Sequence, residues 1–99
     1  MSAVVVRYRV KAGQAEENAA LVRAVYAQLA ERQPAAFRYA TFVLEDEVTF
    51  VHVAFGADSA NASLTELPAF KEFQRELAAR CDEPPQVTRL ATPVGSYGF

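Results

Sequence analysis

Three segments of this chain are apolar on both sides of an extended backbone: Val4-Val5-Val6, Phe37 to Leu44 and Val48 to Phe55. Side chains alternate across a strand, so a sheet made from these segments has two greasy faces to cover. The rest of the chain offers only two amphipathic helical stretches, enough for one face. The pattern therefore predicts a homodimer through the exposed sheet face. Composition agrees: 52% hydrophobic against 22% charged residues is rich for a 99-residue monomer, whose surface is large relative to its core.

At this length there is room for one core, so residues 1–99 are expected to form a single domain. A net charge of -2 supplies no basic field for a phosphate backbone, which argues against nucleic acid. Cys81 is the sole cysteine, so one chain can build neither a disulfide nor a thiolate metal cage, which fits a cytoplasmic, reducing setting. The first residues run straight into a strand pattern, without the basic start and long apolar stretch of a signal peptide. No apolar run approaches membrane-spanning length, so no membrane is expected as a partner.

Ala3 to Val10 alternates as a strand, with Val4, Val6, Tyr8 and Val10 on one face. Gln14 to Arg32 carries Leu21, Val22, Val25 and Leu29 at helical spacing, with Glu16 and Glu17 in the first turn, and closes before Pro34. Phe37 to Leu44 and Val48 to Phe55 read as a hairpin about Glu45-Asp46-Glu47, a turn of solvated charges with no glycine to select its type. Face segregation chooses the register. Pairing Glu45 with Val48 gathers Ala40, Phe42, Leu44, Val51, Val53 and Phe55 on one side, and Tyr39, Thr41, Val43, Val48, Phe50 and His52 on the other.

Gly56 to Ser63 reads as a loop, Ser63-Leu64-Thr65-Glu66 as a capping box, and Pro68 as a helix start. Phe70, Phe73, Leu77 and Cys81 form the apolar stripe of a second helix, stopped by Asp82-Glu83-Pro84-Pro85. Gln86 to Thr92 is the last strand, followed by a tail, Val94 to Phe99, that ends aromatic. The order β-α-β-β-α-β predicts an α+β, ferredoxin-like fold: an antiparallel sheet with two helices on one face. That architecture hosts many functions, so the side chains must decide.

His52 is the only histidine, so any acid-base role for imidazole falls on it. The alternative is a core histidine bonded to a neighbour such as Thr41. Tyr8, Tyr39 and Tyr97 are phenols able to orient a substrate or to anchor a core. Arg7, Arg9 and Arg38 stand on strands, facing either partners or solvent at a rim. One imidazole without a carboxylate at ligand spacing makes no metal set, and no glycine-rich phosphate loop precedes a helix. No resident cofactor is expected: no haem, flavin or metal.

With this element order, the two-faced strands and Leu67-Pro68-Ala69-Phe70-Lys71-Glu72-Phe73 opening the second helix, the chain resembles the antibiotic biosynthesis monooxygenase-like family of dimeric α/β barrels. The resemblance spans nearly the whole chain. It implies two sheets packed face to face, and the oxidation of phenolic or quinol-like substrates by dioxygen without flavin or metal; other members degrade haem. This chain has no tryptophan, and no histidine near the start of helix two where several relatives carry one, so the haem-degrading arrangement is absent.

Two expectations follow. One is a cofactor-independent, monooxygenase-like enzyme acting on a small aromatic or quinol-type ligand, with His52 as the catalytic acid-base group and Tyr39, Thr41, Tyr8 and Phe50 contacting substrate. The other is a non-enzymatic dimeric module that binds an apolar ligand or serves an interaction role. A cavity of roughly 300 Å³ or more beside His52 favours the first, and side chains filling that space favour the second.

Overall fold

A computed structural model describes residues 2–56 and 63–97. Strand β1 (Ser2–Val10) leads to helix α1 (Ala15–Arg32), then strands β2 (Phe37–Val43) and β3 (Thr49–Gly56), helices α2 (Pro68–Arg75) and α3 (Leu77–Arg80), and strand β4 (Cys81–Leu90). The four strands form one antiparallel sheet in the order β2-β3-β1-β4, the β-α-β-β-α-β ferredoxin-like arrangement expected from the sequence. Most of the loop read from Gly56 to Ser63, and the last two residues of the aromatic tail, lie outside the described residues.

Helix α1 buries Asn18, Val22 and Val25, the inward stripe of an amphipathic helix. It ends on Gln33, whose N–H still donates to the Leu29 carbonyl while its left-handed backbone (φ 47°) turns the chain out of the helix. Pro68 occupies the first turn of α2, where its missing N–H is harmless. Phe70, Phe73 and Leu77 then face α1 and the sheet. With Tyr8, Val10, Phe50, Val22, Val25 and Leu67 they make the core on one face of the sheet.

The hairpin takes the register that face segregation selects: Thr41 pairs with His52, Phe42 with Val51 and Val43 with Phe50. Its turn works without glycine. Glu47 adopts φ 65°, and the Asp46 carboxylate accepts the N–H groups of Val48 (3.0 Å) and Thr49 (2.8 Å) and the Thr49 hydroxyl (2.5 Å). Asp46 is thus a structural acceptor and not only a solvated charge. These bonds hold its carboxyl below the ordinary range.

The end of helix two departs from the sequence reading. The helix breaks at Glu76, resumes for one turn, and Cys81 is the first residue of β4 rather than the last of the helical stripe. Asp82-Glu83-Pro84-Pro85 lie within that strand. Two prolines are tolerated because β4 is at the edge of the sheet and its pairing with β1 slips there: Arg7 faces Gln86, Arg9 faces Glu83 and Val10 faces Cys81. The strand closes at Leu90, two residues before the sequence-based limit.

Val5, Ala40, Val51, Val53 and Phe55 lie on the sheet face opposite His52, only partly buried, and Phe42 beside them is 58% exposed. Helices α1 and α2 pack on the other side. No helix of the described residues is long and apolar enough to cross a membrane.

Candidate functional site

Antiparallel pairing brings three strands' side chains to one point. β1 sets Val6 opposite His52 with Tyr8 two residues along on the same face; β2 sets Thr41 opposite His52 with Tyr39 two residues back on that face. Tyr8 Oη lies 2.7 Å from His52 Nε2, and Tyr39 Oη lies 2.5 Å from Nδ1. Thr41 Oγ1 is 3.2 Å from the same Nδ1. Of the residues that the sequence singled out, His52, Tyr8, Tyr39 and Thr41 therefore converge. The Tyr8 contact on Nε2 and the Tyr39 contact on Nδ1 add to the Thr41 neighbour expected for the ring.

Phe50 stands elsewhere. It is stacked on Tyr8 (5.6 Å between centroids) in the core, and neither ring opens to a ligand, because α1 and α2 cover that stretch of the sheet. The arginines do not join the site: Arg9 pairs with Glu83 at 3.3 Å, and Arg7 and Arg38 are exposed. Tyr97 is also exposed.

Three residues that sequence reasoning missed complete the arrangement. Asn18 Nδ2 donates to Tyr8 Oη at 2.9 Å, and Arg80 donates to Asn18 Oδ1 from Nε (3.3 Å) and Nη2 (3.1 Å). On the other side Tyr26 Oη and Thr41 Oγ1 are 2.8 Å apart. A signal was available: Asn18 falls four residues before Val22, and Arg80 seven after Phe73, each a polar residue on an apolar helical stripe. What spacing cannot tell is that the two meet across 62 positions of chain.

Electrostatics keeps the whole line neutral between Asn18 and Tyr26. Burial pushes the His52 imidazole down to about 4, so it is uncharged at pH 7. Burial likewise raises Tyr8, Tyr39 and Tyr26, with the Asn18 bond and the Arg80 charge partly offsetting this at Tyr8. His52 is sealed by the rings of Tyr8, Tyr39 and Phe73, with centroids 5.3, 5.7 and 5.4 Å away.

A cavity opens on the far side of Tyr39. A cleft of about 340 Å³ lies between the end of α1 and β2, walled by Tyr26, Leu29, Ala30, Gln33, Pro34, Phe37 and Tyr39. Tyr39 stacks between Tyr26 (5.3 Å, 19°) and Phe37 (5.9 Å, 18°). The cleft has the expected size but not the expected place: it meets Tyr39, while the space around His52 is filled by Tyr8, Tyr39 and Phe73, the outcome that favours the binding-module expectation. Flat aromatic walls with one amide and two phenols suit a planar aromatic ligand. Among the described residues no three His, Cys, Asp or Glu side chains gather as a metal site.

No protein-family model matches the chain. No curated protein matches it. Solved structures do match its fold. A crystal structure of an antibiotic biosynthesis monooxygenase aligns with a TM-score of 0.77 at 19% identity, covering 94% of this chain and 100% of that one. Rv0793 from Mycobacterium tuberculosis aligns at 0.78 with 18% identity, covering 97% and 98%. SnoaB from Streptomyces nogalater, a cofactor-independent oxygenase, aligns at 0.66 with 20% identity, covering 96% and 97%. The chain has the fold of antibiotic biosynthesis monooxygenase structures.

Proposed function

We propose that this protein is a cofactor-independent, monooxygenase-like enzyme that binds a small aromatic or quinol-type molecule in the Tyr26–Phe37–Tyr39 cleft, where the Tyr39 hydroxyl, backed by His52, stabilises the ligand's phenolate as its proton leaves to solvent. One observation carries the reading: Tyr39 is at once the aromatic wall of the cleft and a 2.5 Å hydrogen-bond partner of the only histidine. A phenolic oxygen seated against Tyr39 meets a hydroxyl backed by an imidazole, which is what stabilising a phenolate requires. The phenolate is the electron-rich form of such a ring and the form that dioxygen oxidises. Thr41 and Tyr26 orient the same hydroxyl cluster. The fold shared with SnoaB, described as a cofactor-independent oxygenase, supports this assignment.

The assembly we propose is a homodimer in which the faces bearing Val5, Val51, Val53 and Phe42 meet. The burial of His52, at 5% exposure, favours a second reading, a binding module in which the imidazole only braces the wall of the cleft. Oxygen uptake separates the two. Purified protein in air is expected to consume dioxygen with a naphthohydroquinone, and Tyr39→Phe to retain binding by thermal shift while losing most of the uptake. A thermal shift without uptake by wild-type protein selects the binding module, and no shift with any quinol or phenol overturns both.

A further inference from the structure

We propose that Arg80, acting through Asn18, is a positioning residue that fixes His52 as its Nδ1–H tautomer, so that the imidazole faces Tyr39 as a proton donor. The catalytic consequence rests on the function proposed above; the tautomer itself does not.

The argument is one of donors and acceptors. Arginine carries N–H donors only. Nε and Nη2 of Arg80 both point at Asn18 Oδ1, so the oxygen end of that amide must face Arg80. Reversing the amide would set its NH2 against the guanidinium, donor against donor. Arg80 cannot turn aside easily, because Nη2 also donates to the Phe73 carbonyl at 2.8 Å and the guanidinium lies over the Phe73 ring at 5.6 Å. The NH2 end of Asn18 is thereby aimed at Tyr8 Oη, which accepts from it.

Tyr8 has a single proton, and its other partner is His52 Nε2 at 2.7 Å. Were Nε2 protonated, the Tyr8 oxygen would receive two donors, leaving its own proton without an acceptor at a residue only 2% exposed. The satisfied arrangement has Tyr8 donating to Nε2. A neutral imidazole then carries its proton on Nδ1, where Tyr39 Oη stands at 2.5 Å and Thr41 Oγ1 at 3.2 Å. A phenol whose oxygen already accepts a hydrogen bond is a stronger donor through its own O–H. The cleft is thus polarised toward ligands that bring an acceptor oxygen, a phenolate or a quinone carbonyl. This also gives a role to a buried cation that has no carboxylate among its described partners and would be costly as packing alone.

The sole histidine makes the test direct. Long-range ¹H–¹⁵N NMR on tag-free, ¹⁵N-labelled wild-type protein at pH 7 is expected to show a protonated Nδ1 and an unprotonated Nε2. Asn18→Asp keeps an acceptor for Arg80 but offers Tyr8 only an oxygen. Tyr8 must then donate to that carboxylate, and the tautomer is expected to invert to Nε2–H. Arg80→Lys should hold the wild-type tautomer, and Arg80→Met should release the amide and give a mixture. A wild-type Nε2–H signal overturns the proposal, as does a folded Asn18→Asp protein that keeps Nδ1–H. If Asn18→Asp does not fold, a wild-type-like spectrum from Arg80→Met overturns it. No turnover is read, so failure of the oxygenase assignment leaves this result standing.

Discussion

At the scale of single residues, His52 couples stability to pH with a definite sign. Its folded-state value near 4 is below the ordinary 6.5, so the unfolded chain binds more protons in between. Stability from this group is complete above pH 6.5 and is lost as pH falls toward 4, by roughly 3 kcal/mol. Urea unfolding of wild-type protein should therefore weaken between pH 7 and pH 4.5 more steeply than that of His52→Gln; equal slopes would contradict the burial. His52→Ala removes the partner of two hydroxyls held inside the fold and should cost about 3 kcal/mol, read as a lower urea midpoint. His52, Tyr39, Thr41 and Tyr8 were legible as candidates because strand alternation and the hairpin register put three of them on one face and Tyr8 on the matching face of β1. Asn18, Tyr26 and Arg80 were missed: spacing could mark Asn18 and Arg80 as polar residues on apolar stripes, but helical periodicity reports which side a residue faces and not which strand it meets.

The β2–β3 hairpin shows at the scale of elements how a turn forms without its preferred residue. Glu47 holds φ 65°, a conformation that strains any side chain with a Cβ, and Asp46 fastens the turn with three accepted hydrogen bonds. Glu47→Gly should relieve that strain and stabilise the protein by about 1 kcal/mol, a rise of several degrees in melting temperature. Asp46→Ala should lower the melting temperature. Because the Asp46 carboxyl is held below its ordinary range, its contribution is present above that range and disappears as pH falls through the depressed value. The second helix carries the opposite lesson. Phe70, Phe73 and Leu77 mark it correctly, but the stripe alone cannot say that Cys81 has already crossed into β4, because an edge strand with a slipped register accepts the prolines that a sequence reader takes as a stop.

Over the whole molecule, the open face of the sheet carries the proposed assembly. Val5, Val51, Val53 and Phe55 run across its centre with Phe42 beside them, so two copies joined face to face should bury more than about 1,000 Å². Sedimentation at micromolar concentration is expected to give a dimer, and Val53→Lys a monomer or a precipitate, since a charge in the middle of that interface has no described partner. A monomeric wild-type protein would sink the assembly and return the apolar face to an open question.

The sequence by itself determined the alternation of strands and helices, the hairpin register, the two-sided greasiness of the sheet and the isolation of one imidazole, because each of these is written in residue spacing a few positions long. Only the tertiary structure decided that the cleft opens at Tyr39 and not at His52, that Phe50 is core, and that a buried arginine on α3 reaches the site through an asparagine on α1. Those facts depend on how α1, α2 and α3 settle against the sheet, and packing between elements far apart in the chain leaves no period in the sequence to read.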